Sequence, residues 1–313
     1  MYLPHFVKHL FGDIQLEPLE GGYNSEVTLI SHPHHLVVKL FGGKKGIDLT
    51  PDGAVTLAMQ IARYRTLLHQ AGIIVPDFLD WAISRDELDG KMYLAVVEPY
   101  CGVNTAQVLR GATTTEEGMR VLRGILDAIA PLLTAISSIE HPQVGIDPKP
   151  ENFTNGGSPY TFIDFMPPRF REGDTYLVEY PQPTTELGYT LGKWKHFTVQ
   201  GICTILLTQL ARIHPKYFEL FRAEISTWLE VNGHGSECSY FVGLGRVDRE
   251  YIAQLENPYE MRLVMCALAS RNGASPPLVD QFFRLTHFED KLTDHVVSEA
   301  LRILLTYHDK VLS

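Results

Sequence analysis

Residues 144–153 read Val-Gly-Ile-Asp-Pro-Lys-Pro-Glu-Asn-Phe and contain the pattern D-x-K-P-x-N. A short distance further on, residues 162–166 read Phe-Ile-Asp-Phe-Met, an apolar run that delivers Asp164 into a turn. Taken alone, Asp147 and Asn152 are explained equally well as turn residues beside Pro148 and Pro150. The segment therefore gains meaning only together with what precedes it.

Two further features lie upstream of this segment. Residues 21–25 read Gly-Gly-Tyr-Asn-Ser between stretches with strand character, and Lys39 lies at the end of a β-prone run. A Gly-Gly pair is by itself usually a hairpin turn, and a lone strand lysine is usually exposed. The informative observation is the order along the chain: glycine-rich turn, strand lysine, helix, apolar strand, D-x-K-P-x-N, then Asp-Phe.

Hydrophobic periodicity predicts a β-rich first hundred residues with one helix. Residues 27–30 and 36–41 are β-prone runs joined by a turn-forming segment, which predicts a hairpin. Residues 52–70 show helical spacing of apolar positions and are followed by Gly72, which predicts a helix that stops there. The continuous apolar run 92–97 predicts a buried strand.

Helical patterns dominate after residue 99. The longest covers 116–138, where Pro131 predicts a kink or a break. Further helical stretches lie at 198–213, 217–229, 258–269 and 298–307. The change of character near 98–103 predicts a connector between a small β-rich front and a larger helical back.

Composition limits the classes of function. The 313 residues exceed the roughly 150 typical of one domain and suggest two. The 27 Lys+Arg against 37 Asp+Glu leave a net charge of −10, which disfavours a nucleic-acid binder that relies on overall positive charge. No apolar run is long enough to span a membrane, the N-terminus lacks a signal-peptide pattern, and the four cysteines are widely spaced. We expect a soluble, cytoplasmic protein with no nucleic-acid or membrane partner.

The ordered set of motifs resembles the protein-kinase-like superfamily. Within it, the chain is most similar to the small-molecule kinases that include aminoglycoside phosphotransferases, choline kinases and fructosamine kinases. The resemblance covers roughly residues 15–175, and the helical remainder carries no motif that can be assigned. D-x-K-P-x-N is fairly specific, and the ordered set is more specific than any one of its parts.

The resemblance implies a catalytic pair and a metal site. Asp147 would accept the proton of an acceptor hydroxyl or orient that hydroxyl. Lys149 would offset the negative charge that develops on the transferring phosphoryl group. Asn152 and Asp164 would hold Mg²⁺, a cation that prefers oxygen ligands and phosphate oxygens.

The resemblance also implies an ATP site in the first part of the chain. Lys39 would bind the α- and β-phosphates as a point charge. The glycine pair would allow close backbone approach, and the backbone amides that follow would cap the phosphates. Backbone groups of Glu98 and Tyr100 would hydrogen-bond the adenine. The implied nucleotide-site residues are Gly21, Gly22, Tyr23, Asn24, Ser25, Lys39, Gln60, Glu98 and Tyr100.

Three departures from protein kinases bear on the kind of substrate. Gly145 and Ile146 stand where a His-Arg pair is usual before the catalytic aspartate. The sequence Asp164-Phe165-Met166 replaces Asp-Phe-Gly, and the two prolines that follow argue against a mobile activation loop. No Ala-Pro-Glu motif follows, which lowers the odds of a regulated protein kinase.

A fourth departure concerns the partner of Lys39. Kinases usually place a glutamate on the first helix to pair with the strand lysine, whereas the helix 52–70 has none. Gln60 lies near the expected place and would hydrogen-bond the ammonium without neutralising it. Alternatively, Glu26 or another acid in the first lobe compensates. A neutral partner would favour a weak or degenerate kinase.

These observations predict an α+β, two-lobed protein-kinase-like fold. Residues 1–99 would form the nucleotide-binding lobe and 100–313 the catalytic and acceptor-binding lobe. The predicted function is ATP- and Mg²⁺-dependent phosphorylation of a small-molecule hydroxyl, on a sugar, aminoglycoside-like antibiotic, amino alcohol or nucleoside. An atypical protein kinase, a nucleotide-binding pseudokinase or scaffold, and an enzyme that transfers a nucleotidyl instead of a phosphoryl group remain alternatives. Trp194 and His196 are expected at an exposed helix start, with the acceptor cleft as the less favoured place.

Overall fold

The fold is mixed α/β, with a β-sheet in the N-terminal part of the chain and a mostly helical C-terminal part. A computed structural model of the protein describes residues 15–19, 25–32, 35–43, 47–77, 79–87, 89–244, 257–271, 279–280, 283 and 302. Within these ranges, no helix combines the length and the apolar character that a membrane crossing needs.

Five antiparallel strands form the N-terminal sheet, in the order β1-β2-β3-β5-β4. The strands are β1 (Gln15–Pro18), β2 (Glu26–His32), β3 (Leu36–Phe41), β4 (Asp80–Arg85) and β5 (Met92–Pro99). The predicted hairpin is therefore confirmed as β2 and β3, and the predicted buried strand as β5. Placing β5 between β3 and β4 brings Lys39 next to a strand that is far away in sequence.

Alternation along β3 and β5 sorts their side chains onto two faces of the sheet. In the register of this pair, Lys39 lies opposite Val96 and Val37 lies opposite Glu98. Lys39 and Glu98 are thus diagonal neighbours on one face, within reach of long side chains. The other face is covered by a small apolar cluster of Ile30, Val38, Leu40, Ala95 and Val97.

The first helix, α1 (Pro51–Gln70), confirms the predicted helix 52–70. The Thr50 hydroxyl caps it by accepting a hydrogen bond of 3.0 Å from the Gly53 amide, and Pro51 suits the first turn. Gly72 follows the helix with a φ of +83°, a conformation that favours glycine. The helix buries one face against the sheet through residues that include Leu57 and Ile61.

Two helices follow β5, namely α2 (Thr105–Gly111) and α3 (Thr115–Ser137). The predicted break at Pro131 is wrong, because α3 continues through the proline as one helix. Pro131 and Asp127, whose carbonyl loses its helical donor, are both exposed, so water can replace the missing amide. One apolar core extends from the inner face of the sheet through α1 into α3.

Between α3 and the next helix the chain forms short strand pairs. Strand β6 (Phe153–Thr154) pairs with β7 (Thr161–Phe162), and β8 (Arg171–Glu172) pairs with β9 (Thr175–Tyr176). An isolated bridge joins Val144 to Phe170. These pairings bring the segment that holds Asp147 beside the segment that follows Asp164.

The remaining described part of the chain is helical. Its helices are α4 (Glu186–Phe197), α5 (Val199–Ile213), α6 (Phe218–Val231), α7 (Gly235–Gly243) and α8 (Pro258–Arg271). Three of them confirm the predicted helices at 198–213, 217–229 and 258–269. Nearly all of the predicted helix 298–307 lies outside the described residues.

Candidate functional site

Lys39 projects from β3 into a buried polar cluster beneath the sheet. Its ammonium contacts the carboxylate of Glu98 and donates a hydrogen bond to the carbonyl of Ile163, the residue before Asp164. The same ammonium lies 5.3 Å from the centre of the Phe165 ring. The lysine thereby joins the sheet to the Asp164 segment.

Glu98 is shared by two cations. Arg65, on α1, donates a hydrogen bond of 3.2 Å to the second oxygen of Glu98 and another to the Pro76 carbonyl. Its guanidinium carbon lies 4.6 Å from the centre of the Phe165 ring. Burial lowers the pKa of Arg65, although the Glu98 carboxylate opposes the shift. The carboxylate that meets Lys39 therefore comes from the sheet.

The predicted nucleotide-site residues have different outcomes. Gly21 to Asn24 lie outside the described residues, and Ser25 is buried immediately before β2. Gln60 is half-buried on α1 and, in the part of the chain that the structure describes, is not among the partners of Lys39. The carboxylate of Glu98 takes the place proposed for Gln60, so the expectation of another acid from this part of the chain is the better one.

The backbone amide of Tyr100 already has a hydrogen-bond partner within the sheet. It donates a hydrogen bond of 3.0 Å to the carbonyl of His35, which extends the pairing of β3 with β5. The amide therefore points into the sheet, and the predicted contact of the Tyr100 backbone with adenine stays a prediction for its carbonyl group. The backbone of Glu98 lies within β5 opposite Val37 of β3, and its side chain contacts Lys39.

Asp147 is a buried carboxylate held by two cations. Its Oδ2 lies 2.9 Å from the Lys149 ammonium and 3.3 Å from the guanidinium of Arg169. The Lys149 side chain is 40% exposed, whereas that of Arg169 is only 3% exposed. Burial alone would raise the pKa of Asp147, but Lys149 and Arg169 outweigh it and hold the pKa well below its usual range. Among the described residues, none donates a hydrogen bond to the buried Oδ1.

Asn152 and Asp164 come together at one end of the β6–β7 pair. Asn152 directly precedes β6, and its carbonyl accepts a hydrogen bond of 2.8 Å from the amide of Ile163. The side-chain NH₂ group of Asn152 donates a hydrogen bond of 2.9 Å to the backbone carbonyl of Asp147. The side-chain carbonyl oxygen of Asn152 stays available as an acceptor. Burial raises the pKa of Asp164 despite the Arg169 guanidinium, and the nearby Asp147 carboxylate adds to the rise.

The backbone before Asp147 is held from two sides. The Tyr64 hydroxyl of α1 donates 2.9 Å to the Gly145 carbonyl. On the other side, the Ile146 amide donates a hydrogen bond of 3.0 Å to the carbonyl of His196. The Nδ1 atom of His196 lies 3.0 Å from the carbonyl oxygen of Ile146. A Cβ on Gly145 would lie 2.5 Å from the carbonyl oxygen of His196, so the approach requires glycine.

His196 is fully buried, which contradicts the favoured prediction of an exposed helix start. Burial, together with the Arg169 and Lys195 cations, lowers its pKa to about 3, so the imidazole is neutral and can donate from Nδ1. Behind it, Glu179 accepts a hydrogen bond of 2.7 Å from Lys195, which in turn contacts the Tyr259 hydroxyl at 3.2 Å. His196 thus supports the Asp147 segment from α4.

Sequence reasoning missed several residues of this site. Arg169 and Arg65 are ordinary arginines in the sequence, and their partners lie on other elements. In the sequence, Tyr64 looks like any aromatic residue on a helix. Its role comes from the hydrogen bond of its hydroxyl to the carbonyl of Gly145, 81 residues away. No local signal distinguishes them, since each acts through a contact between distant segments.

The chain matches no model of a known protein family and none of the curated proteins with which it was compared.

Proposed function

We propose that the protein is an ATP- and Mg²⁺-dependent phosphotransferase that acts on a hydroxyl group of a small molecule. The observation that carries the proposal is the hydrogen bond from Lys39 to the carbonyl of Ile163. It brings a strand lysine to the residue before Asp164, while Asn152 bonds to the same residue. A cation for phosphates and two oxygen ligands are thereby adjacent, which phosphoryl transfer requires.

The donor set suits Mg²⁺. Asn152 offers an amide oxygen and Asp164 a carboxylate, and Mg²⁺ is commonly held by one or two protein carboxylates together with substrate phosphates. These two residues would hold the ion. When bound, it would neutralise charge on the phosphates of ATP and orient them.

Asp147 and the cations around it would bind and orient the acceptor. Because Lys149 and Arg169 keep its pKa low, Asp147 stays a carboxylate and is a weak base. It would orient the acceptor hydroxyl through Oδ1, the oxygen that Lys149 and Arg169 do not contact. Lys149, more exposed than Arg169, would stabilise charge on the transferring group.

The proposed architecture is the two-lobed protein-kinase-like fold, with residues 1–99 as the nucleotide-binding lobe and 100–313 as the catalytic and acceptor-binding lobe. The sheet followed by helices supports this division. A small-molecule acceptor is favoured because the chain after Asp164 is compact: it bridges back to Val144 and folds into the β8–β9 pair. A sugar, aminoglycoside-like antibiotic, amino alcohol or nucleoside would present the hydroxyl.

The alternative of a nucleotide-binding scaffold loses its main argument. That argument was the absence of a helix glutamate to neutralise Lys39. Glu98 supplies a buried carboxylate from β5, so the lysine has a charged partner. This contact favours catalysis over mere binding.

The test is a screen for ADP release with a library of hydroxyl compounds in the presence of Mg-ATP. Asp164→Ala is expected to abolish turnover, and Asp147→Asn to slow it at least a hundredfold while sparing ATP affinity in calorimetry. Asp174→Asn, at an exposed carboxylate of the β8–β9 turn, is the matched control and should behave as wild type.

Each other outcome argues for a different function. Full activity in either site variant would contradict the assignments. Binding of ATP without turnover of any compound would favour the scaffold, and labelling of protein partners by radioactive ATP would favour a protein kinase.

A further inference from the structure

The carboxylate that meets Lys39 lies on the sheet and not on the helix. Strands β3 and β5 are hydrogen-bonded neighbours, and their register puts Lys39 and Glu98 diagonally on the same face. In a sheet ladder such diagonal neighbours lie about 7–8 Å apart, a distance that long side chains span. The spacing between ammonium and carboxylate is thus a property of two adjacent strands.

The helix contributes a cation instead. Arg65 of α1 contacts one carboxylate oxygen of Glu98, and Lys39 contacts the other. The side chains of Lys39, Glu98 and Arg65 are only 10%, 3% and 7% exposed. The Phe165 ring lies beneath both cations. If Lys39 turned toward an anion, Arg65 would still compensate Glu98.

We propose that Glu98 is the positioning residue for Lys39, and that the sheet rather than α1 sets the lysine for phosphate binding. This inference rests on the proposed function, because it assigns Lys39 to the phosphates of ATP. A movement of α1 would separate Arg65 from Glu98 but would leave Lys39 beside its carboxylate. The ammonium of Lys39 therefore keeps the position needed to bind phosphate, whatever the position of α1.

Calorimetry of Mg-ATP binding tests the role of Glu98. Glu98→Gln removes the negative charge and leaves Lys39 next to a second cation, so that the ammonium is displaced from its place. The dissociation constant is expected to rise about tenfold with unchanged binding stoichiometry. A merely structural defect would instead lower the stoichiometry of the sample and leave the affinity alone. Glu172→Gln, at an exposed carboxylate that pairs with Arg63 of α1, is the control and should bind as wild type.

The outcomes separate this inference from the proposed function. If wild type binds Mg-ATP and Glu98→Gln binds it equally well or more tightly, the positioning role is overturned while the proposed function stands. If the wild-type protein binds no Mg-ATP, the proposed function is wrong, and so is the inference that rests on it. Should Glu98→Gln not fold, the double variant Glu98→Gln/Arg65→Met removes one charge of each sign, and the same tenfold loss is expected from it.

Arg65→Met tests the role of the helix. It detaches α1 from Glu98 and leaves the contact between Lys39 and Glu98 intact. The melting temperature should fall, while affinity for Mg-ATP stays within about threefold of wild type. If Arg65→Met loses as much affinity for Mg-ATP as Glu98→Gln does, then α1 positions Lys39, and the inference is overturned.

Discussion

The hydroxyl of Tyr64 donates a hydrogen bond of 2.9 Å to the carbonyl of Gly145, two residues before Asp147. The neighbours of Tyr64 on α1 make two further links. Arg63 lies 3.3 Å from Glu172, and its guanidinium carbon lies over the Phe170 ring, 5.1 Å from the ring centre. Arg65 pairs with Glu98 of the sheet. Three consecutive residues thus tie one helix to the sheet, to the segment before Asp147 and to the segment after Asp164.

Tyr64→Phe is expected to destabilise the protein and to lower turnover. The change leaves a buried carbonyl without its donor, which costs about 1–3 kcal/mol of unfolding free energy. Because Gly145 is close to Asp147, kcat should fall as well. Urea unfolding and turnover measure the two effects. Tyr93→Phe removes a hydroxyl that bonds to Asp89 at 2.7 Å, and this control should lower stability without lowering kcat. Equal kcat in both variants would contradict a role for Tyr64 in holding the loop.

Gly145→Ala adds a single methyl group, yet it is expected to displace the segment that holds Asp147. The new Cβ would lie 2.5 Å from the carbonyl oxygen of His196, a backbone atom that cannot rotate away. Such overpacking typically costs about 1–3 kcal/mol. Thermal unfolding and turnover should both decrease. Gly157→Ala meets no atom closer than 3.6 Å and should change neither, so similar effects at the two positions would refute the steric argument.

Arg169→Met is expected to be the most destabilising single change at the site. Among the described residues, the partly exposed Lys149 is then the one cation left in ion-pair contact with the buried Asp147 carboxylate. Loss of one partner of a buried ion pair costs about 3–5 kcal/mol. The double variant Arg169→Met/Asp147→Asn removes both charges and should regain part of the loss in urea unfolding. Arg171→Met, at an arginine whose partner Asp174 is fully exposed, is the control. Strictly additive losses would show that Arg169 and Asp147 are not coupled.

His196 is expected to make stability fall on mild acidification. Its pKa is about 3 in the folded protein against an ordinary value of 6.5, since burial disfavours the charged ring. Between these two values the unfolded chain binds a proton that the folded chain does not. The free energy of unfolding therefore decreases as the pH falls below 6.5, by up to about 1.4 kcal/mol per pH unit from this residue.

Urea unfolding at pH 7.5, 6 and 5 measures the effect. His196→Asn keeps a donor for the Ile146 carbonyl and removes the titrating ring, so its stability should depend less steeply on pH than that of wild type. His69→Asn changes an exposed histidine at the end of α1 and controls for the substitution itself. The same slope in wild type and in His196→Asn would exclude His196 as the source.

Much of the fold could be predicted because local rules govern it. Alternation and turn chemistry identified β2, β3 and β5, and helical spacing with a glycine stop identified α1. The predicted break at Pro131 was wrong, because exposure lets water replace a helical donor there. The prediction for His196 was also wrong, because its burial depends on the chain that packs around α4 and not on its own neighbours.

The sequence by itself determined which chemical groups are present and in what order: a strand lysine, Asp147 with Lys149, Asn152, and Asp164. Only the tertiary structure decided what surrounds them. The partner of Lys39 follows from the pairing of β3 with β5, and the restraint on Asp147 comes from Arg169, Tyr64 and His196. The physical reason is that periodicity reports the face on which a residue lies, whereas a buried charge finds its counter-charge across segments that the sequence keeps far apart.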